Sequence, residues 1–355
     1  MELFTAHKQW AERPADERFS SLQDLHAATK AYADVAAEKT VPWNALRTEA
    51  IDGDVQLVGK AGVPAKLTHW AFGQVCNRVE APASYLRTLP PTLACQNLNH
   101  GLAHKGEDGE TQAALLFHTN GALLLRSVTS DRYSRIWNYE VADRLLRLET
   151  MGWEPARPDR ALFAGQDLNN TALYASDHDL FAFLRNSSLA IREAGTDDPL
   201  YRGVIVENSE VGASALKLTR FLYRFMCGNH IIWGASRVVE LSIRHIGNAR
   251  GRMVSWEAEL RRYAQESASD QEAKIASAKR TLIAATKDEV LDKVFGMRSL
   301  QLGRRVLESS YNAVDQDQDG DPRSVWGLVQ GITRHSQTVP YADERTRLDQ
   351  PLGSC

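Results

Sequence analysis

Cysteine is scarce in this 355-residue chain, and the four that occur stand far apart. Cys76, Cys95, Cys227 and Cys355 form no CxxC pair, which argues against a zinc module or a disulfide scaffold and fits a reducing cytoplasm. No apolar run nears the roughly 20 residues that span a bilayer, so no membrane association is expected. The opening "MELFTAHKQWAERPADERF" is polar and acidic from its second residue, so no secretory signal is expected. A basic excess is missing too. The formal net charge is −3, whereas proteins that coat nucleic acid by bulk electrostatics are strongly basic. The GxSxG elbow, the Walker A loop and the GxGxxG fingerprint are also absent, which removes the usual signs of a hydrolase or a nucleotide-cofactor enzyme. No cofactor is expected.

What is present reads as an ordinary globular chain, 43% apolar and 25% charged. "SSLQDLHAATKAYADVAAE" (20–38) opens on serines and continues in helix formers. Asp52-Gly53 and Asn120-Gly121 each sit between apolar runs, and both dipeptides accept positive φ, so two β-hairpins are expected, the second a tight one. After it Asn138 is the expected N-cap of a helix that buries Val141, Leu145, Leu146 and Leu148. Residues 153–250 are rich in strand-like runs, and 253–287 contain neither Gly nor Pro and read as one long amphipathic helix. Helices, then strands, then helices make an α+β fold with a largely antiparallel central sheet. The expected parts are an N-terminal helix and hairpin (1–64), a central core (65–252), a long helical region (253–312), and an acidic connector with a short helix and tail (313–355).

Several constellations carry chemistry on paper. "DQDQDGDPRSVW" puts Asp315, Asp317, Asp319 and Gly320 at calcium-loop positions, but Trp326 stands where the bidentate carboxylate belongs, so a solvated acidic connector is the expectation. "HGLAH" spaces His100 and His104 as a zinc helix does, without the glutamate that HExxH needs. No metal site is expected there. "SDHD" (176–179) and "ENSE" (207–210) offer Asp177, His178, Asp179, Glu207 and Glu210 for a divalent ion or for acid–base work, and turn residues at strand ends look the same.

The densest signal interleaves arginine with aromatics. Arg126, Arg132, Tyr133, Arg135 and Trp137 follow a hairpin, and Arg220 and Arg224 alternate onto one face of a strand-like run. Arg244 and His245 lie in another run. From Lys217 to Arg262 nine Lys/Arg stand against three Glu. Such residues can hold phosphates and stack bases, and equally can cover apolar surface with their stems. Arg132 and Asn138 are expected to set the junction geometry, with Asp131 holding one arginine. Arg126, Arg135 and the aromatics are then the contact residues, removable without loss of stability.

Read in order, "LLRSVTSDRYSRIWNYEVADRLLRL", "RFMCGNHIIWGA", "SIRHIGNAR" and "SVWGLVQGITRHSQ" resemble the phage/plasmid-like proteins of the domain of unknown function 932 family. The resemblance spans roughly residues 65–340. It rests on Ser130-Asp131-Arg132-Tyr133 with Asn138, on Cys227 and Asn229, on Arg244-His245 before Gly247-Asn248, and on Trp326-Gly327 as a turn preceding a helix. The family often has threonine where His230 stands. The resemblance implies a role in phage or plasmid DNA metabolism in a bacterial cytoplasm, and no particular reaction. The leading expectation is a binder of nucleic acid, single-stranded DNA above all, that serves replication, recombination or annealing and can form a homo-oligomer. Its contacts would be Arg126, Arg132, Tyr133, Arg135, Trp137, Arg220, Arg224, Asn229, His230, Arg244 and His245. The alternatives are a metal-dependent enzyme on nucleotides or nucleic acid, and an anti-defence binding or decoy protein.

Overall fold

The computed structural model describes residues 15–104, 112–119, 121–156, 172–192, 199–224, 229–231, 241–297, 300 and 302–336. The acidic run at 193–198, Cys227, Gly228 and the tail beyond 336 lie outside the described residues. The chain is α+β, built on two sheets and a set of C-terminal helices.

The short β1 (Arg18–Phe19) leads into helix α1 (Leu22–Asp34), capped where the Ser21 hydroxyl accepts the Asp24 N–H. Then come β2 (Ala36–Pro42), β3 (Arg47–Ile51), β4 (Asp54–Val58) and β5 (Pro64–Leu67). Helices α2 (His69–Arg78), α3 (Ala83–Leu86) and α4 (Pro91–Ala103) follow, and then β6 (Gln112–His118) and β7 (Leu124–Ser130). These strands form one six-stranded sheet in the order β2-β6-β7-β5-β4-β3. Ile51 faces Asp54, so Asp52-Gly53 is a two-residue turn with both φ angles positive, 53° and 81°. The second hairpin is looser than expected. His118 faces Leu124, leaving 119–123 as the loop, and Thr119 is held back by its own N–H and hydroxyl on the Val35 carbonyl.

Helix α5 (Asn138–Glu149) crosses to the second sheet, which holds β1 with β8 (Trp153–Pro155), β9 (Leu173–Ala175), β10 (Leu180–Ile191), β11 (Leu200–Asn208), β12 (Leu216–Arg224), β13 (Asn229–Ile231) and β14 (Leu241–Ile243). Its order is β1-β9-β10-β11-β12-β13, with β8 on β10 and β14 on β12, and every pairing is antiparallel. Of the expected stripe on α5, Val141, Leu145 and Leu148 join Leu22 and Leu25 of α1 and Leu180, Val204 and Leu218 of the sheet in one core, while Leu146 is half-buried at its edge.

The expected long helix is two, α6 (Ala249–Gln265) and α7 (Ala268–Arg280). Glu266 between them is extended (φ −58°, ψ 143°). Its carbonyl accepts from the buried Arg202 and its carboxylate from Arg220 at 3.1 Å. Arg202 thus takes the carbonyl that a continuous helix would have kept, and Arg220 anchors the side chain of the same residue. Then follow α8 (Lys287–Phe295), α9 (Arg304–Asn312), α10 (Gln316–Asp319) and α11 (Val325–Ser336), which bury Val290, Leu307 and Trp326 against Leu200 and Leu222. The connector is not merely solvated acid: Asp319 is buried and bonded by Arg334, and Asp321 is paired with Arg323. Trp326-Gly327 lies inside the first turn of α11, not ahead of it.

Two of the three part boundaries expected from sequence fall inside elements, and the third, 312/313, coincides with the end of α9. The 64/65 boundary lies within β5, which pairs both β4 and β7, and 252/253 lies within α6. Among the described residues no helix is long and apolar enough to cross a membrane.

Candidate functional site

Everything around the arginine–aromatic stretch converges on the turn after β11. Glu210 is 2% exposed, and a buried carboxylate needs charged or hydrogen-bonding partners. It has three. One oxygen pairs with Arg126 at 2.8 Å, both side chains being almost fully enclosed. The other accepts the backbone N–H of Asn138 at 2.8 Å, and the Glu210 carbonyl accepts from Arg135. A carboxylate at the positive end of α5 is also favoured by the helix dipole. Asn138 is therefore the first helical residue rather than the cap, and its side-chain oxygen accepts from Asn208 at 2.8 Å.

The expected contact residues are thereby redistributed. Arg126 is buried, with its guanidinium 4.3 Å over the Tyr32 ring and one N–H on the Asp177 carbonyl. Arg135 is buried between Glu38 and the Glu210 carbonyl. Arg220 pairs with Glu259 and Glu266. These three are neutralised within the fold, because a desolvated guanidinium requires compensation there. Tyr133 donates its hydroxyl to the Ser209 carbonyl at 2.9 Å and stacks on His245, the ring centroids 5.1 Å apart. His245 is buried, which brings its pKa down to about 4, with Arg135 adding to the shift. It is neutral at pH 7 and offers no cation to a phosphate. Trp137 is half-buried beside Arg135. Arg224 pairs with Asn229 and Tyr223 with His230 along β12 and β13, and the side chains of Arg224, Asn229 and His230 lie outside the described residues.

Among the described side chains of the candidate arginines, those of Arg132 and Arg244 are left open. Both are exposed. A bridge between Tyr133 and Ile246, with the Ser134 N–H on the His245 carbonyl at 2.9 Å, lays 130–135 beside 244–248. Arg252 donates to the carbonyls of Arg244 and Ile246 there, and Arg250 reaches Glu140 at 3.3 Å with half its side chain exposed. Ile246 itself is 56% exposed.

The carboxylate candidates divide, with Asp177 and Glu210 lining one cavity. Asp177, His178 and Asp179 form the β9–β10 turn, closed by the Ser176 N–H on the Asp179 carbonyl. His178 Nδ1 lies 2.8 Å from Asp177, whose pKa falls below the usual carboxylate range chiefly through that bond. Glu207 lies 3.8 Å from Lys217. Among the described residues no group of three or more His, Cys, Asp or Glu is placed to hold a metal ion. His100 and His104 are near neighbours on α4, with the His104 ring nitrogen on the His100 carbonyl.

The loop 208–213 also ties the two sheets together. The Val211 carbonyl accepts from Trp70 and Gln74 of α2, while the Gln74 side-chain oxygen takes the Val128 N–H of β7. Glu210 was visible in the sequence only as one of a carboxylate pair. Tyr32, Glu38 and Gln74 gave no signal, since each occupies an unremarkable position on a helix or an edge strand.

The family described as Domain of unknown function (DUF932) matches residues 126–350. The chain belongs to that family. No curated protein and no solved structure matches it. Ser130 to Asn138 and Arg244 to Asn248, two phrases that carry the resemblance, prove to be neighbours in space, stitched by the Tyr133–Ile246 bridge and the Tyr133–His245 stack.

Proposed function

We propose that this DUF932 protein binds single-stranded nucleic acid, on the exposed face where 130–135 meets 244–252. The observation that carries the reading is the Tyr133–Ile246 bridge, which brings the segment of Arg132 alongside the sequence-distant segment of Arg244, both arginines being exposed. Neither pairs with an acid among the described residues. Arg250 and Arg252 extend the same surface, and Ile246 offers an apolar contact between them. Guanidinium groups hold phosphate oxygens in a planar fork and stack on bases, so a small cluster serves a flexible single strand. The buried Arg126 and Arg135 have a different part: they tie the 126–138 stretch to Glu210. A place in phage or plasmid DNA metabolism, such as strand annealing, belongs to the same proposal.

The test is a fluorescence-anisotropy titration with a labelled oligonucleotide at several salt concentrations. Each phosphate contact on a single strand contributes about −0.7 to the log–log salt slope. Changing Arg132 and Arg244 together to Ala should weaken binding and flatten the slope by about 1.4. The melting temperature should stay near wild type, because neither side chain is buried. Affinity indifferent to salt, or unchanged in the double variant, rules this face out.

A further inference from the structure

We infer that the hollow between the β3–β4 turn, the start of α2 and the chain after α3 binds a small monocarboxylate with an aliphatic tail. This inference is independent of the nucleic-acid face. The lining runs from Gly53 to Leu124, all of it ahead of the family match at 126–350.

The hollow measures about 530 Å³, the size of a site for a small organic molecule. Its wall is largely apolar, with Val55, Leu67, Phe72, Leu86, Leu89 and Leu124 among the lining residues. Phe72 and Leu86 are buried, whereas the other four are only half-buried, so part of each aliphatic side chain still meets water. Water against such a wall finds few hydrogen-bond partners. An alkyl chain that displaces it takes that apolar surface out of solvent.

The second observation is charge. Lys66 of β5, Arg87 at the end of α3 and Asp54 of β4 also line the hollow. Among the described residues no ion pair joins any of the three to a partner. Arg87 is held instead by neutral groups, with one N–H on the His69 carbonyl at 2.8 Å and the guanidinium 4.9 Å over the Phe72 ring. Those contacts hold it at the wall and leave its charge uncompensated by any carboxylate. Two cations against one acid leave a single positive charge in excess, which favours a singly charged anion over a cation. A carboxylate matches the fork of a guanidinium and accepts from an ammonium as well. His69, in the same lining, adds a ring N–H donor.

Calorimetry on the full chain with butanoate, hexanoate and octanoate tests this. Each added methylene that enters the hollow should tighten binding about fourfold. Octylammonium, with the same tail as octanoate and the opposite charge, should not bind. Lys66→Gln should weaken octanoate about threefold and Asp54→Asn should strengthen it about as much. Lys60→Gln removes a charge from the neighbouring loop outside the lining and should change nothing. All three positions are exposed, so the melting temperatures should stay near wild type. No heat with octanoate at millimolar concentration overturns the inference. So does an affinity that is flat with chain length, octylammonium that binds as tightly as octanoate, or a loss in Lys60→Gln equal to that in Lys66→Gln.

Discussion

At the scale of single residues, Arg126 and Glu210 set the terms. Read along the chain, Arg126 is one more arginine among aromatics, and nothing local separates it from Arg132. Only the fold does so, by carrying Glu210 from the far end of β11 to within 2.8 Å and closing both side chains off from water. Sequence alone makes Arg126 a contact removable without loss of stability and has Arg132 both shaping the junction and among the contacts, whereas the structure buries Arg126 and leaves Arg132 exposed. Removing one partner of such a pair leaves a charge buried without compensation, at a cost of about 3–5 kcal/mol. Arg126→Ala should therefore lower the urea midpoint steeply, and Glu210→Gln should lower it too, since Asn138 also loses a charged acceptor. Arg126→Met combined with Glu210→Gln removes both charges and should be less damaging than the sum of the single changes. An Arg126→Ala protein that unfolds at the wild-type midpoint would mean that the pair contributes nothing.

Elements were legible where their causes are local. Asp52-Gly53 makes its turn because both residues accept positive φ, and the buried stripe of α5 follows from spacing alone. The break between α6 and α7 was not legible, because its cause sits on β11 and β12, where Arg202 and Arg220 draw off the carbonyl and carboxylate of Glu266. The same contrast governs glycine. At Gly53 an added methyl meets nothing within 4 Å, so Gly53→Ala costs only the strained φ of 81°, about 1–2 kcal/mol. Gly331 has ordinary helical geometry, yet a Cβ there would stand 2.2 Å from the Ser310 carbonyl of α9. Backbone on one side and backbone on the other leave little room to give way. Gly331→Ala should destabilise by more than Gly53→Ala, about 3 kcal/mol, although Ala is the better helix former. Denaturation midpoints of the two variants, measured side by side, check this, and the opposite order would show that α9 and α11 can move apart.

At the scale of the whole molecule, the family's extent and the fold's extent differ. The match begins at Arg126, in the middle of β7, whose neighbours β5 and β6 lie upstream. Upstream residues also complete the downstream core: Leu22 and Leu25 of α1 are fully buried against α5 and the second sheet, and Glu38 reaches forward to Arg135. The loop 208–213 returns the connection by bonding to α2 through the Val211 carbonyl. A chain that starts at residue 126 would keep the Arg126–Glu210 pair but expose one face of α5 and leave β7 as a bare edge, both of which favour aggregation. Residues 126–355 alone should therefore lack a cooperative thermal transition and be cut rapidly by protease, while the full chain resists. Co-expression with residues 1–125 should restore both properties, because the contacts across residue 126 are packing and hydrogen bonds that separate chains can re-form. A fragment that melts cooperatively by itself would show that the upstream sheet is an accessory to the family's core rather than part of it.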